Sequence, residues 1–261
     1  MEELVYIINI CQKSDKKFVK DDNNHDGAGG HFLEDVLGIS HNSNNKPDLY
    51  GWELKNFSKK QKKMSFVDKT ADWYKYPNID EHCKLFGLLK INKISWSGSC
   101  CPSYYEEWST AGQIIRVNNK DFEIYYNYEK DKRPNKNNII YNEALKNGDI
   151  IIVRWSHKSM NNAIDNKFNV NGIIAININN LQDIHVYNPF NYNYFLEAFK
   201  KKEIIFDSGM KIGNSRRYST WRTSNNNFLK SLEFTKELKE YISTKNSVLE
   251  EYMTKLSINK L

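Results

Sequence analysis

The chain is poor in several things that would have announced a class. It has only four cysteines in 261 residues, Cys11, Cys83 and the adjacent Cys100 and Cys101. They form no even framework of the kind that staples small secreted domains, which points to reduced thiols and a cytoplasmic protein. His82-Cys83 and Cys100-Cys101 lack any C-x2-C knuckle, which argues against zinc. No apolar run is long enough to cross a bilayer, and the opening MEELVYIINICQKSDKK places acids before its apolar residues and soon turns polar, unlike a signal peptide. No internal repeat is visible. There is no polycationic tail either: 38 Lys and Arg against 32 Asp and Glu leave a net charge of +6. This is a mixed surface with a basic excess that favours an anionic partner. The length fits one large domain, or one domain split into two lobes, over residues 1–261.

Periodicity supplies the outline. Leu4, Ile7, Ile8 and Cys11 recur at helical spacing, so residues 1 to 12 are predicted as a helix, followed by a loop from Lys13 to His25. Phe32, Leu33, Val36 and Leu37 share one face of a short helix over Gly30 to Leu37, with Gly38 as its cap. Alternation in Trp52 to Phe57 predicts a half-buried strand after a tight turn. Further strands are expected at Lys84 to Ile91, Gln113 to Asn118, Phe122 to Tyr128, Asp149 to Trp155 and Gly172 to Ile178. Helices are expected at Lys158 to Phe168 and Asn193 to Lys201. Glu203 to Ile205 then lead into a loop from Asp207 to Tyr218, and Phe228 to Leu256 reads as one or two amphipathic helices. The asparagine-rich stretches blur these limits by supplying turn-formers everywhere.

Within NNKPDLYGWELKNF, residues 44 to 57, Asp48 and Glu53 lie on either side of a polar turn and Lys55 follows. Period-two alternation sends Glu53 and Lys55 to one face of the strand. Two carboxylates facing one point repel each other, a cost that a hard divalent cation with oxygen ligands removes, with the Leu54 carbonyl and waters completing its shell. Lys55 is suited to holding or deprotonating an attacking water and to facing a phosphate oxygen. These are the parts needed for in-line hydrolysis of a phosphodiester. A bare D-x4-E-x-K recurs by accident as a turn acid and an exposed ion pair, so the pattern needs its context.

That context is GAGGHFLEDVLG, residues 27 to 38, followed by P-D and G-W-E-L-K. Together they resemble the PD-(D/E)xK nucleases of the MutH-related branch, and within it the MvaI/BcnI group of Type II restriction endonucleases. The resemblance covers residues 27 to 57. It implies that Glu34, in L-E-x-x-L-G, completes the active-site acids with Asp48, Glu53 and Lys55, and that the metal held by Asp48, Glu53 and Leu54 is Mg²⁺, with Mn²⁺ a possible substitute. Trp52 and Asn56-Phe57 depart from the G-V-E-L-K-T-I-P strand of MutH and favour a restriction enzyme over a strand-nicking repair endonuclease. The remaining alternative is a non-catalytic DNA-binding module.

A second segment, FDSGMKIGNSRRYSTWRT, residues 206 to 223, resembles the base-reading segment of the same group. Arginine forks suit guanine edges and a carboxylate suits the cytosine amino group, so Asp207, Lys211, Arg216, Arg217 and Arg222 are the expected DNA contacts. The basic run Ser58 to Lys63 is a candidate for phosphate contact, though most such runs are solvated faces. His157 and Lys167 flank a helix and could approach DNA, but isolated residues of this kind are usually structural. The resulting expectation is an α/β protein with a restriction-endonuclease-like fold, a mixed central sheet flanked by helices, and two lobes around a DNA cleft. The catalytic lobe would lie around residues 1–80 and the recognition lobe would include about 180–230. The resemblance further implies double-stranded DNA as partner, a monomer, and a cognate DNA methyltransferase in the same host.

Overall fold

The computed structural model describes residues 2–19, 27–40, 46–57, 63–223 and 227–233. In chain order the elements begin α1 (Glu2–Lys13), α2 (Ala28–Leu37), β1 (Trp52–Phe57), β2 (Ser65–Asp68), β3 (Trp73–Tyr74), α3 (Ile79–Phe86), β4 (Leu88–Lys90) and β5 (Lys93–Trp96). They continue with β6 (Ala111–Asn118), β7 (Asp121–Asp131), α4 (Lys136–Ile139), β8 (Asp149–Trp155), α5 (His157–Phe168), β9 (Gly172–Asn177) and β10 (Asn180–Tyr187). The run closes with α6 (Tyr192–Lys200), β11 (Ile204–Ser208), β12 (Met210–Lys211), β13 (Ser219–Thr223) and α7 (Asn227–Leu232). No helix among the described residues is long and apolar enough to cross a membrane.

The strands form several sheets rather than one central sheet. The mixed one has the order β1-β9-β10, with β1 parallel and β10 antiparallel to β9. A four-stranded antiparallel sheet, β3-β8-β7-β6, and two three-stranded sheets, β11-β13-β2 and β12-β5-β4, complete the set. The mixed sheet draws on both halves of the chain, since β1 finds its partners at residues 172–187. β1 is an edge strand and β9 is buried at every position.

Alternation then decides what each face of the mixed sheet meets. Trp52, Leu54, Ile174, Ile176 and Val186 pack against Leu4, Ile7, Ile8 and Cys11 of α1 and Leu33 and Val36 of α2, forming a smaller core. Glu53, Lys55 and Phe57 point the other way, with Ile173 and Ala175, toward the larger core that joins the remaining sheets. α2 sits close on β1: a Cβ on Gly29 would lie 2.7 Å from Asn56 Nδ2, so the small residues of GAGG set the approach of helix to strand. The larger core is dense in aromatics, with Trp221 at ring-centroid distances of 4.7 Å from Phe122 and 5.2 Å from Phe206.

Several expectations change. Lys84 to Ile91 is not one strand: Asn78 accepts a hydrogen bond from the Glu81 N–H (3.0 Å) and starts α3, which consumes the segment as far as Phe86 before β4 begins. The stretch from Asp207 to Tyr218 is not wholly loop, because β11 runs on to Ser208 and β12 follows. β2, β5, β10 and β13 had no counterpart in the sequence reading. Of the C-terminal helical segment, Asn227–Leu232 is helix and residues beyond 233 lie outside the described ones, as do residues 20–26 and the basic residues 58–62.

Candidate active site

The site begins with a turn. Leu49 and Trp52 exchange two backbone hydrogen bonds, of 3.1 and 2.8 Å, around Tyr50 and Gly51, whose φ angles are 51° and 81°. Two successive left-handed residues make this the kind of two-residue turn that matches strand twist, and the second position suits glycine. The space is tight as well, since a Cβ on Gly51 would fall 2.8 Å from Val170 Cγ1 and push that side chain aside. Asn171 fixes the turn from outside, donating its side-chain amide to the Tyr50 carbonyl (2.7 Å) and its N–H to the Gly51 carbonyl (3.1 Å).

The turn folds Asp48 back along the open edge of β1, where Asp48 Oδ2 accepts the Leu54 N–H at 2.8 Å. Residues in a strand point their N–H and C=O to the same side, so the Leu54 carbonyl faces that edge too. Glu53, one residue earlier, is 1% exposed, yet it lies in no apolar isolation. Lys55 Nζ is 2.6 Å and Lys167 Nζ 3.1 Å from its Oε1. Glu53 Oε2 is buried and has no hydrogen-bond partner among the described residues. Burial, and after it the charge of Glu53, pushes the Asp48 carboxyl up to about 6, against the Leu54 N–H and the two lysines, which lower it. A buried carboxylate oxygen left over beside a second, destabilised carboxylate and an edge carbonyl is a donor set that fits a hard divalent cation.

The structure therefore brings Asp48, Glu53, Leu54 and Lys55 together. It does not add Glu34 to them: among the described residues no three His, Cys, Asp or Glu side chains form a group able to hold a metal. Glu34 is part-buried on α2, whose Leu33 and Val36 pack on the Trp52 and Leu54 face of β1. The residue that the sequence offers without a place in the site is Lys167. It comes from the last turn of α5, which crosses beneath β1 on its way to β9, and only the parallel pairing of β1 with β9 makes it a neighbour of Glu53. All four cysteines are buried free thiols, Cys11 and Cys83 pushed up to about 11 by burial.

The arginine segment is packed onto the body of the protein. Arg217 lies over the Tyr74 ring, 4.5 Å from its centroid, and donates to the Pro77 carbonyl. Arg222 Nε is 2.8 Å from Asp207 Oδ2, an ion pair across β13 and β11. Arg216 is exposed and stacks 4.6 Å over Tyr218, and Lys211 is exposed on β12. His157 rests against the Tyr192 ring at 5.1 Å.

The family model described as LlaMI restriction endonuclease matches residues 13–235. The Type II restriction enzyme ScrFI of Lactococcus lactis subsp. cremoris is 32% identical over 233 residues, covering 77% of this chain and 85% of that enzyme. Among solved structures, the restriction endonuclease MvaI in complex with its cognate DNA matches with a TM-score of 0.59 over 88% of this chain and 94% of that one, at 14% identity. That last likeness is one of fold.

Proposed function

The chain belongs to the LlaMI restriction endonuclease family, and on that premise we propose that its cleavage of DNA is carried out at Asp48, Glu53 and Lys55 with Mg²⁺, for which Mn²⁺ can substitute. It is a Type II restriction endonuclease, a site-specific deoxyribonuclease, and the nickase and non-catalytic alternatives fall with that membership. The observation that carries the residue assignment is Glu53: a carboxylate 1% exposed, one oxygen held by lysines and the other unspent beside Asp48. Asp48, Glu53 and the Leu54 carbonyl would hold the cation. When bound, it supplies Lewis-acid stabilisation of the charge that builds on the phosphate and eases ionisation of the attacking water. Lys55 orients that water and faces a non-bridging phosphate oxygen. Glu34 belongs to this reading as an outer acid that reaches the ion through water, supported by its place in the motif.

Double-stranded DNA is bound with contacts from Asp207, Lys211, Arg216, Arg217 and Arg222, in a cleft between a catalytic and a recognition lobe. The enzyme works as a monomer in the cytoplasm, beside a DNA methyltransferase that protects the host's own sites; the sequence resemblance supports the first, and the danger of an unguarded nuclease the second. The test is a digest of a sequenced plasmid. Mg²⁺ should give discrete fragments, Ca²⁺ should give binding without cutting, and Lys55→Ala should bind without cutting. Full cleavage in excess chelator, or by Lys55→Ala at the wild-type rate, overturns the assignment.

A further inference from the structure

We propose that Lys167 is a positioning residue of this active site, which holds Glu53 so that Lys55 is free to leave it. The inference rests on the assignment of Glu53 and Lys55 just given. In the structure both ammonium groups converge on Glu53 Oε1, at 2.6 Å for Lys55 and 3.1 Å for Lys167, and both lysine side chains are 18% exposed. One lysine cannot serve two tasks at once. If Lys55 turns to the attacking water and the phosphate, its contact with Glu53 is lost. Oε1 of a carboxylate that is 1% exposed would then be left without a donor while Oε2 is the oxygen turned to the metal, which is costly in a low-dielectric setting. Lys167 removes that cost, since its own contact with Oε1 does not depend on Lys55.

The two lysines are mounted differently, in a way that suits this division. Lys55 stands on β1, an edge strand whose open edge carries Asp48. Lys167 stands in the last turn of α5, where a cation also meets the favourable end of the helix dipole. That helix is anchored at both ends. Ser156 accepts the Ser159 N–H (3.3 Å) and is itself bound to Asp72 (2.7 Å), while Asp165 accepts the Tyr192 N–H (2.8 Å). Met160, Ile164 and Phe168 are fully buried along the same helix. A side chain carried by so fixed a backbone is suited to holding, and Lys55 to reaching.

The experiment compares the full chain with Lys167→Met, Lys167→Arg and Lys55→Met, using duplexes carrying the site mapped from the plasmid digest. Three quantities are measured: single-turnover cleavage in Mg²⁺, duplex affinity in Ca²⁺ at two salt concentrations, and Mn²⁺ binding by the DNA-free protein. For Lys167→Met we expect the cleavage step to slow about 10- to 100-fold, as for other residues that orient a metal ligand. Duplex affinity and its salt dependence should be unchanged. Mn²⁺ should bind the DNA-free variant more tightly, because a competing cation has been taken from beside the carboxylates. Lys167→Arg should recover most of the rate.

Wild-type cleavage by Lys167→Met overturns the proposal. So does a loss of duplex affinity with a shallower salt dependence, which would make Lys167 a phosphate contact. A fall in thermal stability together with weaker Mn²⁺ binding would make it a prop for α5, and also overturns it; should the methionine variant not fold, Lys167→Gln is read by the same criteria. If Lys55→Met itself cleaves normally, the reading of the site fails. If Lys55→Met is inactive and Lys167→Met fully active, only the role of Lys167 falls.

Discussion

Two buried ion clusters in this molecule look alike in composition and differ in how they spend their polar atoms. Asp131 and Arg133, with side chains 0% and 1% exposed, are sealed in the larger core. Asp131 accepts from the Arg133 N–H, Nε and Nη2 and from the Tyr126 hydroxyl (2.9 Å), while Arg133 Nη1 donates to the Gly87 carbonyl (2.9 Å). Both carboxylate oxygens are used. At Glu53 two lysines crowd one oxygen and the other has no hydrogen-bond partner among the described residues. A buried charge that is fully hydrogen-bonded fixes a fold, whereas one held with a valence to spare is paying for something else. The difference separates scaffold from site better than burial or charge does alone.

Swapping the two clusters' partners breaks or sharpens that contrast, and gives the largest effects. Glu53→Gln should reduce cleavage below detection while leaving the folded protein as stable as before or slightly more so, since it removes a buried anion facing Asp48. Arg133→Met should do the reverse: it strands the buried Asp131 carboxylate and should cost about 3–5 kcal/mol of stability. Denaturant midpoints and plasmid digests on both variants decide. Equal destabilisation by the two substitutions would erase the distinction.

A smaller effect separates Asp48 from His82. His82 is 1% exposed, with neither ring nitrogen hydrogen-bonded among the described residues, packed at 4.6 Å from Trp96 and 5.0 Å from Phe86, and burial, then the Arg217 charge, lowers it to about 3. Between that value and the ordinary 6.5 the unfolded chain binds the extra proton, so the contribution is present above about 6.5 and is lost as pH falls, by up to about 1.4 kcal/mol per pH unit. Asp48 runs the other way. Raised from 3.8 to about 6, it binds the extra proton in the folded state, so its contribution is present at low pH and lost as pH rises through about 6. In chelator the two slopes oppose each other between about pH 4 and 6. His82→Phe should leave stability falling with pH across that window, and Asp48→Asn should leave it rising. Parallel profiles for wild type and either variant would show that the group concerned does not titrate as its surroundings demand.

How much was legible follows from how local each feature is. α1, α2 with its Gly38 cap, β1, β8 and α5 carry their periodicity within their own residues, and the sequence reading placed them close to where they stand. The convergence of Asp48, Glu53 and Lys55 is legible because one short turn brings them together. α3 is hidden although its N-x-x-E start is visible, because the apolar run Leu85 to Leu89 resembles a strand and only Gly87 marks the break. β10 and β13 were missed because polar residues such as Asp183, Thr220 and Arg222 occupy their outward positions, and only distant partners hold them extended. Lys167 was seen but could not be assigned, since nothing in residues 157–168 says that α5 crosses to a strand parallel to β1.

The arginine segment lies between the two clusters in character, and the smallest effects are expected there. Arg217 is spent on Tyr74 and the Pro77 carbonyl, so Arg217→Ala should lower stability and weaken binding to every duplex alike. Arg222 is tied to Asp207, and releasing either leaves the other on a part-exposed sheet face where solvent screens it, so the stability change should be within about 1 kcal/mol. Arg216 is exposed and stacks on its neighbour Tyr218, which makes it the freest of the three to turn toward a base edge. Arg216→Ala should therefore leave stability unchanged and remove about 1–3 kcal/mol of discrimination at one position of the target, with little change in salt dependence. The measurement is the affinity of each variant, in Ca²⁺, for the cognate duplex and its single-substituted relatives at two salt concentrations. If Arg216→Ala weakens all duplexes equally and flattens the salt dependence, Arg216 is a phosphate contact. The base reader of this segment would then have to be the Asp207 and Arg222 pair, opened by the DNA itself.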